Sequence, residues 1–468
     1  MNVTLINPYS ASPYPVLPLG LAYIAAVLER NHINVTVIDA WAEKFGDKEI
    51  AAAILKSRPD LIGITMVTAM APAALELATL AKATVNVPVV AGGPHASALP
   101  GECLANPAID YIVIGEGETT ILNLINHLEN GQADISSVNG IAYRHNGKIV
   151  INKPAVFIAD LDSLPMPARH LFPVSKYKTH LPYGRKTPYM TMITSRGCPY
   201  QCTYCSKAVF GSTYRGLSPG KVVQELKHLI DTYGIREYRF YDDDFTLNMS
   251  RAHEICDAII RHDIKLDWSC TTRVDLVNDE LLKKMKRAGC YTISYGVESG
   301  DPEVLKSAKK GYTLDDVEKA IRLTKKNGIR ILAFFMLGLP GENENTIEKS
   351  IQLSLRLEPD FVSWGIINMM PGSKMYDDYA HTLKVGPKNQ NIDHPMAVGS
   401  NYNIYEGALP TDSLIKYSQE AHRRFYLRPQ YLIKKLFQMR SWDEFNGYAS
   451  MGYIFVKSLL VKKLRMVK

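Results

Sequence analysis

The stretch T-S-R-G-C-P-Y-Q-C-T-Y-C-S-K, residues 194–207, places Cys198, Cys202 and Cys205 in a C-x3-C-x2-C triplet within one short loop. Three thiolates this close can hold three irons of a [4Fe–4S] cluster. The fourth iron then has no protein ligand, and an open position is what a reactive metal centre needs. Two plainer readings stand beside this one: half of a zinc site, or buried thiols without a task. Zinc wants a fourth ligand, and His170 and His180 lie upstream without the usual spacing.

Tyr204 precedes the last cysteine, and Arg196-Gly197 leads into the first. The loop resembles the radical S-adenosylmethionine (radical SAM) superfamily signature. The resemblance implies that Cys198, Cys202 and Cys205 are both metal ligands and the catalytic centre, with Tyr204 beside the cofactor. The open iron then chelates the amino and carboxylate groups of S-adenosylmethionine. One electron cleaves the sulfonium and yields a 5′-deoxyadenosyl radical. An oxygen-sensitive cluster needs a reducing compartment, so the expected location is cytoplasmic.

Composition sets the frame. A chain of 468 residues is long enough for two or three domains. Hydrophobic content of 46% and charged content of 22% are ordinary for a globular protein. A net charge of +7 is mildly basic and does not argue for nucleic acid. Seven cysteines, an odd count with three in one loop, do not look like a disulfide framework. The N-terminus, M-N-V-T-L-I-N-P, lacks the basic and apolar regions of a signal peptide and reads as a strand. No apolar run reaches about 18 residues, so no transmembrane helix is expected.

Residues 3–6, 35–38, 61–65, 89–91 and 111–114 read as strands, with amphipathic stretches between most of them. Apolar strands alternating with helices imply a parallel sheet covered on both faces, with ligands at the carboxyl ends of strands. Those ends carry Asn7, Asp39, Thr65, Thr68, Gly92-Gly93-Pro94-His95 and Gly115-Glu116-Gly117-Glu118. The pieces P-L-G-L-A-Y-I-A-A-V-L (18–28), A-G-G-P-H (91–95) and I-G-E-G-E (114–118) resemble the cobalamin-binding domain upstream of many radical SAM modules. The resemblance implies a corrin over Thr65, Thr68, Gly92, Gly93 and Glu116. The residues from Asp39 read D-A-W-A-E-K, without the cobalt-ligating histidine of many such domains, and His95 reads as a turn or loop residue. A fold that has lost the cofactor, or gives the cleft to substrate, is the plainer reading. A phosphate site at the G-E-G-E turn is rejected, because two glutamates would repel phosphate.

The strand–helix rhythm lapses from about residue 131 to 185. A small hairpin at 141–151 and the extended D-L-D-S-L-P-M-P-A-R (160–169) read as an interdomain linker. Six further strands follow, at 189–194, 237–241, 266–272, 291–296, 331–337 and 361–369. Helices between them are expected to begin near Ser218, Ser250, Asn278, Thr313 and Asn343. The pattern predicts a partial (β/α)6 barrel of TIM type, with functional groups where strands end.

Each strand end resembles a radical SAM motif. Y-D-D-D-F-T (241–246) stands where other members carry a G-G-E run near the methionyl amine, which implicates Asp243; a solvated loop or metal site is the alternative. Arg273 in T-T-R-V-D is expected either to pair with the carboxylate of S-adenosylmethionine or to bridge Asp275. Y-G-V-E-S-G (295–300) implies Glu298 on the ribose hydroxyls and Ser299 on the methionyl carboxylate. M-L-G-L-P-G-E (336–342) implies backbone contacts to adenine around Gly338, and P-G-S-K-M-Y (371–376) a turn under the same site.

The C-terminal region is expected to be helical from Thr411, with an interruption at Pro429. Its basic, apolar tail from Tyr453 reads as a helix packed on its own domain or as a peripheral membrane contact. The expectation is thus an α/β chain: a Rossmann-like cobalamin-binding domain (1–135), a linker with a small hairpin (136–187), a radical SAM barrel (188–385) and a small, mainly helical C-terminal region (386–468). Its cofactors would be a 4Fe-4S cluster, S-adenosylmethionine and cobalamin. Its partners would be a small-molecule or lipid-like substrate and an electron donor such as ferredoxin or flavodoxin. Methylation of an unactivated carbon is the leading reaction. The alternatives are radical ring formation, oxidation or C–C coupling without methyl transfer, and a non-catalytic cobalamin or metal sensor.

Overall fold

The computed structural model describes residues 1–10, 12, 14–130, 134–177, 184–380 and 409–438. Seven strands form the first sheet: β1 (Asn2–Asn7), β2 (Asn34–Asp39), β3 (Leu61–Thr65), β4 (Val89–Gly92), β5 (Tyr111–Val113), β6 (Ile141–His145) and β7 (Lys148–Ile151). Their order is β2-β1-β3-β4-β5-β6-β7. The first five are parallel, in a doubly wound order whose direction reverses between β1 and β3, where ligands of such sheets bind. β1 and β3 are buried because helices cover both faces, which is why their sequences read as continuous apolar runs. The hairpin expected in the linker instead pairs antiparallel with β5 and completes this sheet.

Six parallel strands form the second sheet: β8 (Tyr189–Met192), β11 (Glu237–Phe240), β12 (Asp267–Thr272), β13 (Cys290–Glu298), β14 (Arg330–Leu337) and β15 (Phe361–Ile366). They lie in chain order, and β8 and β15 do not pair. The barrel is therefore an open arc. Between β8 and β11, two short segments, β9 (Ser195–Arg196) and β10 (Arg215–Gly216), pair antiparallel and bracket the cysteine loop.

Local sequence explains the helix starts. Ser218, Asn278, Thr313 and Asn343 each accept a backbone N–H of the first turn. The helix Met249–Arg261 departs from expectation: Asn248, not Ser250, is its cap, accepting from Arg251 N at 3.0 Å. Ser250 lies inside the helix and donates to Glu254.

Pro429 interrupts the C-terminal helical run as expected, since helices span Thr411–Tyr426 and Pro429–Gln438. The first packs on β15, where Ser418 donates to Trp364 O at 3.0 Å. The tail from Tyr453 lies outside the described residues. Among the described residues no helix is long and apolar enough to cross a membrane.

Candidate functional site

One cavity of about 800 Å³ lies between the two sheets. Thr65, Gly92 and Gly93 line it from the first sheet, and Cys198, Cys202 and Cys205 from the second. Its walls are mostly apolar, supplied by Leu21, Ile24, Phe334, Met336 and Ile366 among others.

The cysteine loop is pinned from several sides. Thr203 N donates to Ala308 O at 3.2 Å, Met375 N to Thr203 O at 2.8 Å, and the Ser206 hydroxyl to Pro371 O at 2.7 Å. The P-G-S-K-M-Y turn thus braces the loop from below. Gly197 is required before Cys198, since its φ is +83° and an added Cβ would lie 2.2 Å from Thr213 O. Burial pushes the Cys198 thiol up to about 12 and that of Cys205 up to about 11, so the protein alone holds both protonated. A bound metal is what would ionise them.

Three adjacent aspartates divide their work. Asp242 is buried and accepts from Thr194 N at 2.6 Å and from the Ser195 hydroxyl at 2.9 Å, which ties down the end of β8. Asp243 and Asp244 line the cavity. Burial raises both, Asp243 with help from Asp242; Asp244 reaches about 7 although Lys310 and Arg273 pull it down. The Cys198 sulfur lies 3.6 Å from Asp244.

Opposite them is a cationic corner. Arg273 meets Asp275 with two parallel bonds of 2.9 and 2.8 Å, and its guanidinium lies 3.6 Å from the centre of the Tyr200 ring. Nη1 remains buried without a hydrogen-bond partner. Glu298 ends β13 in left-handed backbone, φ +64°, where the register with β14 shifts. A non-glycine residue held there marks strain at a site. Its carboxylate folds back over Gly296, where an added Cβ would sit 2.3 Å from Oε1. Lys310 is buried and donates to Glu298 at 3.2 Å and to the Tyr204 hydroxyl at 3.0 Å.

The Radical SAM superfamily matches residues 192–354, and the B12 binding domain matches residues 10–125. An uncharacterized methyltransferase from Pyrococcus horikoshii is 34% identical over 435 residues, 90% of each chain. The chain belongs to the family of radical SAM enzymes with a cobalamin-binding domain. A cytidylyl-2-hydroxyethylphosphonate methyltransferase of Streptomyces wedmorensis is 32% identical over 72% of this chain and 73% of its own. An anaerobic magnesium-protoporphyrin IX monomethyl ester cyclase of Rubrivivax gelatinosus is 29% identical over 89% of this chain and 74% of its own. Among solved structures, the methyltransferase TsrM from Kitasatospora setae, with cobalamin and a [4Fe–4S] cluster bound, shares the fold. Its TM-score is 0.74 at 18% identity over 99% of both chains.

Against this family's cofactors, the expected residues separate. Tyr204, Asp243, Arg273, Glu298, Thr65, Gly92, Gly93 and Glu116 line the cavity with the three cysteines. Thr68, Ser299 and Gly338 do not. Thr68 opens a short 3₁₀ turn after β3. Ser299 is fully buried against the helix Glu344–Leu357, with its hydroxyl 3.3 Å from that of Ser350. Gly338 is enclosed by Ile367 and Leu414, and its N–H donates to Glu342. Glu116 is not free, since Arg196, Arg215 and the Ile158 N–H all donate to its carboxylate.

The remaining groups fit the cofactors. Zinc–sulfur bonds of about 2.3 Å would draw three thiolates tightly together. Among the described residues no group of three His, Cys, Asp or Glu could hold a single metal ion. All three cysteines line the one cavity. The orphaned Nη1 of Arg273 suits a carboxylate, and small residues at the ends of β3 and β4 leave room for a flat ring. Among the described residues no histidine lines the cavity. Asp39, at the position where the histidine motif would begin, is buried. It accepts from Asn7 at 2.9 Å and from Ala42 N at 3.0 Å, capping a helical turn. His95 lies in the short helix Pro94–Ala98 and is buried, rather than in a loop.

Sequence reasoning missed Lys310, Tyr200, Asp244 and Arg196. Lys310 follows the G-V-E-S-G-D-P-E-V-L-K run within K-K-G-Y, where a lysine looks like any solvated one. Only the tertiary fold shows it buried.

Proposed function

We propose that this chain is a cobalamin-dependent radical SAM enzyme that methylates an unactivated carbon of a small or lipid-like molecule. The observation that carries this reading is the shared cavity, with three cysteines on one wall and the corrin-type strand ends on the other. When bound, the cluster and S-adenosylmethionine supply a carbon-centred radical by one-electron reduction, and the corrin supplies a methyl group.

The chain's own residues position these partners. Cys198, Cys202 and Cys205 would hold three irons of the cluster. Arg273, with Nη1 unpartnered, would offer it to the methionyl carboxylate, and Glu298, fixed by Lys310, would accept from the ribose. Asp243 and Asp244 would take the methionyl amine, and Tyr204 would lie beside the cofactor. Thr65, Gly92 and Gly93 would receive the corrin. Apolar walls from Phe334, Met336 and Ile366 exclude water and set the substrate carbon between the two reactive centres. A reduced ferredoxin or flavodoxin suits the electron supply. The basic tail from Tyr453 would bring the enzyme to a membrane surface if its substrate is a lipid.

The cyclase relative favours one second reading, in which the same radical closes a ring without methyl transfer. A product heavier by one methylene unit separates the two. The test is anaerobic reconstitution with iron, sulfide and cobalamin, followed by reduction with S-adenosylmethionine. Release of 5′-deoxyadenosine is expected, and Cys198→Ala should abolish it. An intact cluster that releases none would overturn the proposal.

A further inference from the structure

Two arginines join the domains, Arg196 at the cavity wall and Arg215 behind it. Arg196 stands two residues before Cys198. Its guanidinium reaches Glu116 at 3.0 Å, in the turn after β5, and Glu118 at 2.6 Å, in the first turn of the helix Gly117–Asn130 of the first domain. Arg215, on β10 across from it, meets both oxygens of Glu116 at 2.8 Å and also donates to Ile158 O at 2.9 Å. Aromatic rings from both domains flank Arg196, Tyr23 at 5.1 Å and Phe210 at 5.2 Å. All four charged side chains are 3–6% exposed. Backbones approach here too, since a Cβ on Gly115 would meet Val209 O at 3.7 Å.

Stability does not explain such a network. Burying two cations and two anions carries a heavy desolvation cost, and packed apolar side chains often serve a fold as well or better. What a buried fork of charges provides is register: each guanidinium satisfies fixed carboxylates in one arrangement and leaves buried charges unpaired in any other. The network ties the cysteine loop to the turn that follows β5.

We propose that Arg196 and Arg215, gripped by Glu116 and Glu118, are positioning residues that fix the separation between the cluster and the corrin. This rests on the function proposed above. Radical and methyl donor must address one carbon from opposite sides, so a displacement of about 1 Å between them is costly.

The test needs no substrate. Holoenzyme is prepared with the corrin as cobalt(II) and the cluster reduced, and the magnetic interaction between the two paramagnets is read by electron paramagnetic resonance. Wild-type protein should show one defined interaction. Glu118→Gln removes one charge, and Arg196→Lys keeps the charge but loses the fork. Both should lose the single interaction and show a spread of weaker ones at unchanged iron and cobalt content. Lys435→Met breaks a mostly buried ion pair with Asp360, neither residue lining the cavity, and should lower thermal stability while keeping the wild-type interaction. If Glu118→Gln cannot be purified, Arg196→Lys alone decides. A wild-type interaction in the clamp variants, or an equal disturbance in Lys435→Met, would overturn the clamp. Wild-type protein without any cobalt signal would overturn the clamp and the proposed function together. A wild-type signal that the clamp variants leave unmoved would overturn the clamp alone.

Discussion

The ammonium of Lys310 lies 3.2 Å from a carboxylate oxygen of Glu298, with both side chains less than 10% exposed. The same nitrogen reaches the Tyr204 hydroxyl at 3.0 Å, so one cation links the cysteine loop to the end of β13. Lys310→Met would leave Glu298 buried and unpaired, a loss of ~3–5 kcal/mol for breaking a buried pair from one side. Denaturant unfolding should show it as a lower midpoint with an unchanged slope. The affinity for S-adenosylmethionine, followed through the spectrum of the reduced cluster, should fall as well. Unchanged stability and affinity would count against both the pair and its role.

Gly197 predicts a second effect. Gly197→Ala places a Cβ 2.2 Å from Thr213 O in left-handed backbone. The conformational cost alone is about 1–3 kcal/mol, before any shift of β10. Reconstituted protein should hold clearly less iron and sulfide per chain than wild type. Full cluster content would show that the loop has more room than its geometry indicates.

Glu342 gives a pH signature. Burial pushes its carboxyl up to about 7, against about 4.3 in an unfolded chain. Between these values the folded protein holds a proton that the unfolded chain has lost, so stability falls as pH rises through this window. The full difference is on the order of 3 kcal/mol. Glu342→Gln cannot ionise, and it should flatten the profile of unfolding free energy between pH 4 and 7 by about that amount. A variant with the wild-type slope would exclude Glu342 as the source.

Arg273 separates recognition from folding. Its pairing with Asp275 satisfies Nε and Nη2 and leaves Nη1 for a ligand. Arg273→Lys keeps a charge but cannot bridge Asp275 and a carboxylate together. The expected result is a roughly tenfold or larger rise in KM for S-adenosylmethionine, about 1.4 kcal/mol or more, with a smaller change in kcat. An unchanged KM would mean that Arg273 serves Asp275 alone.

Much of this was legible in the chain itself. The strands and most helix caps follow from apolar runs and polar stops, and the cysteine triplet from spacing alone. Ser299 was not legible. Its neighbour Glu298 turns back at positive φ, and that turn sends the serine toward Ser350 rather than the cavity. Glu116 looked like a cofactor residue because its G-E-G-E turn resembles a cobalamin-binding strand end; its arginine partners lie 80 and 99 residues away. The hairpin at 141–151 gave no sign that it would extend a sheet, since edge pairing depends on which strand happens to lie beside it.

The open arc of the second sheet leaves β15 without a further strand partner among the described residues, and a side chain of the helix Thr411–Tyr426 caps part of that edge. The Tyr426 hydroxyl accepts from Val362 N at 2.9 Å and donates to Val362 O at 2.7 Å. One phenol thus occupies the seat a seventh strand would take, without sealing the cylinder. Neighbouring copies are denied a template for edge-on stacking. Anything adding a strand there would first have to displace a ring that the fold has already seated.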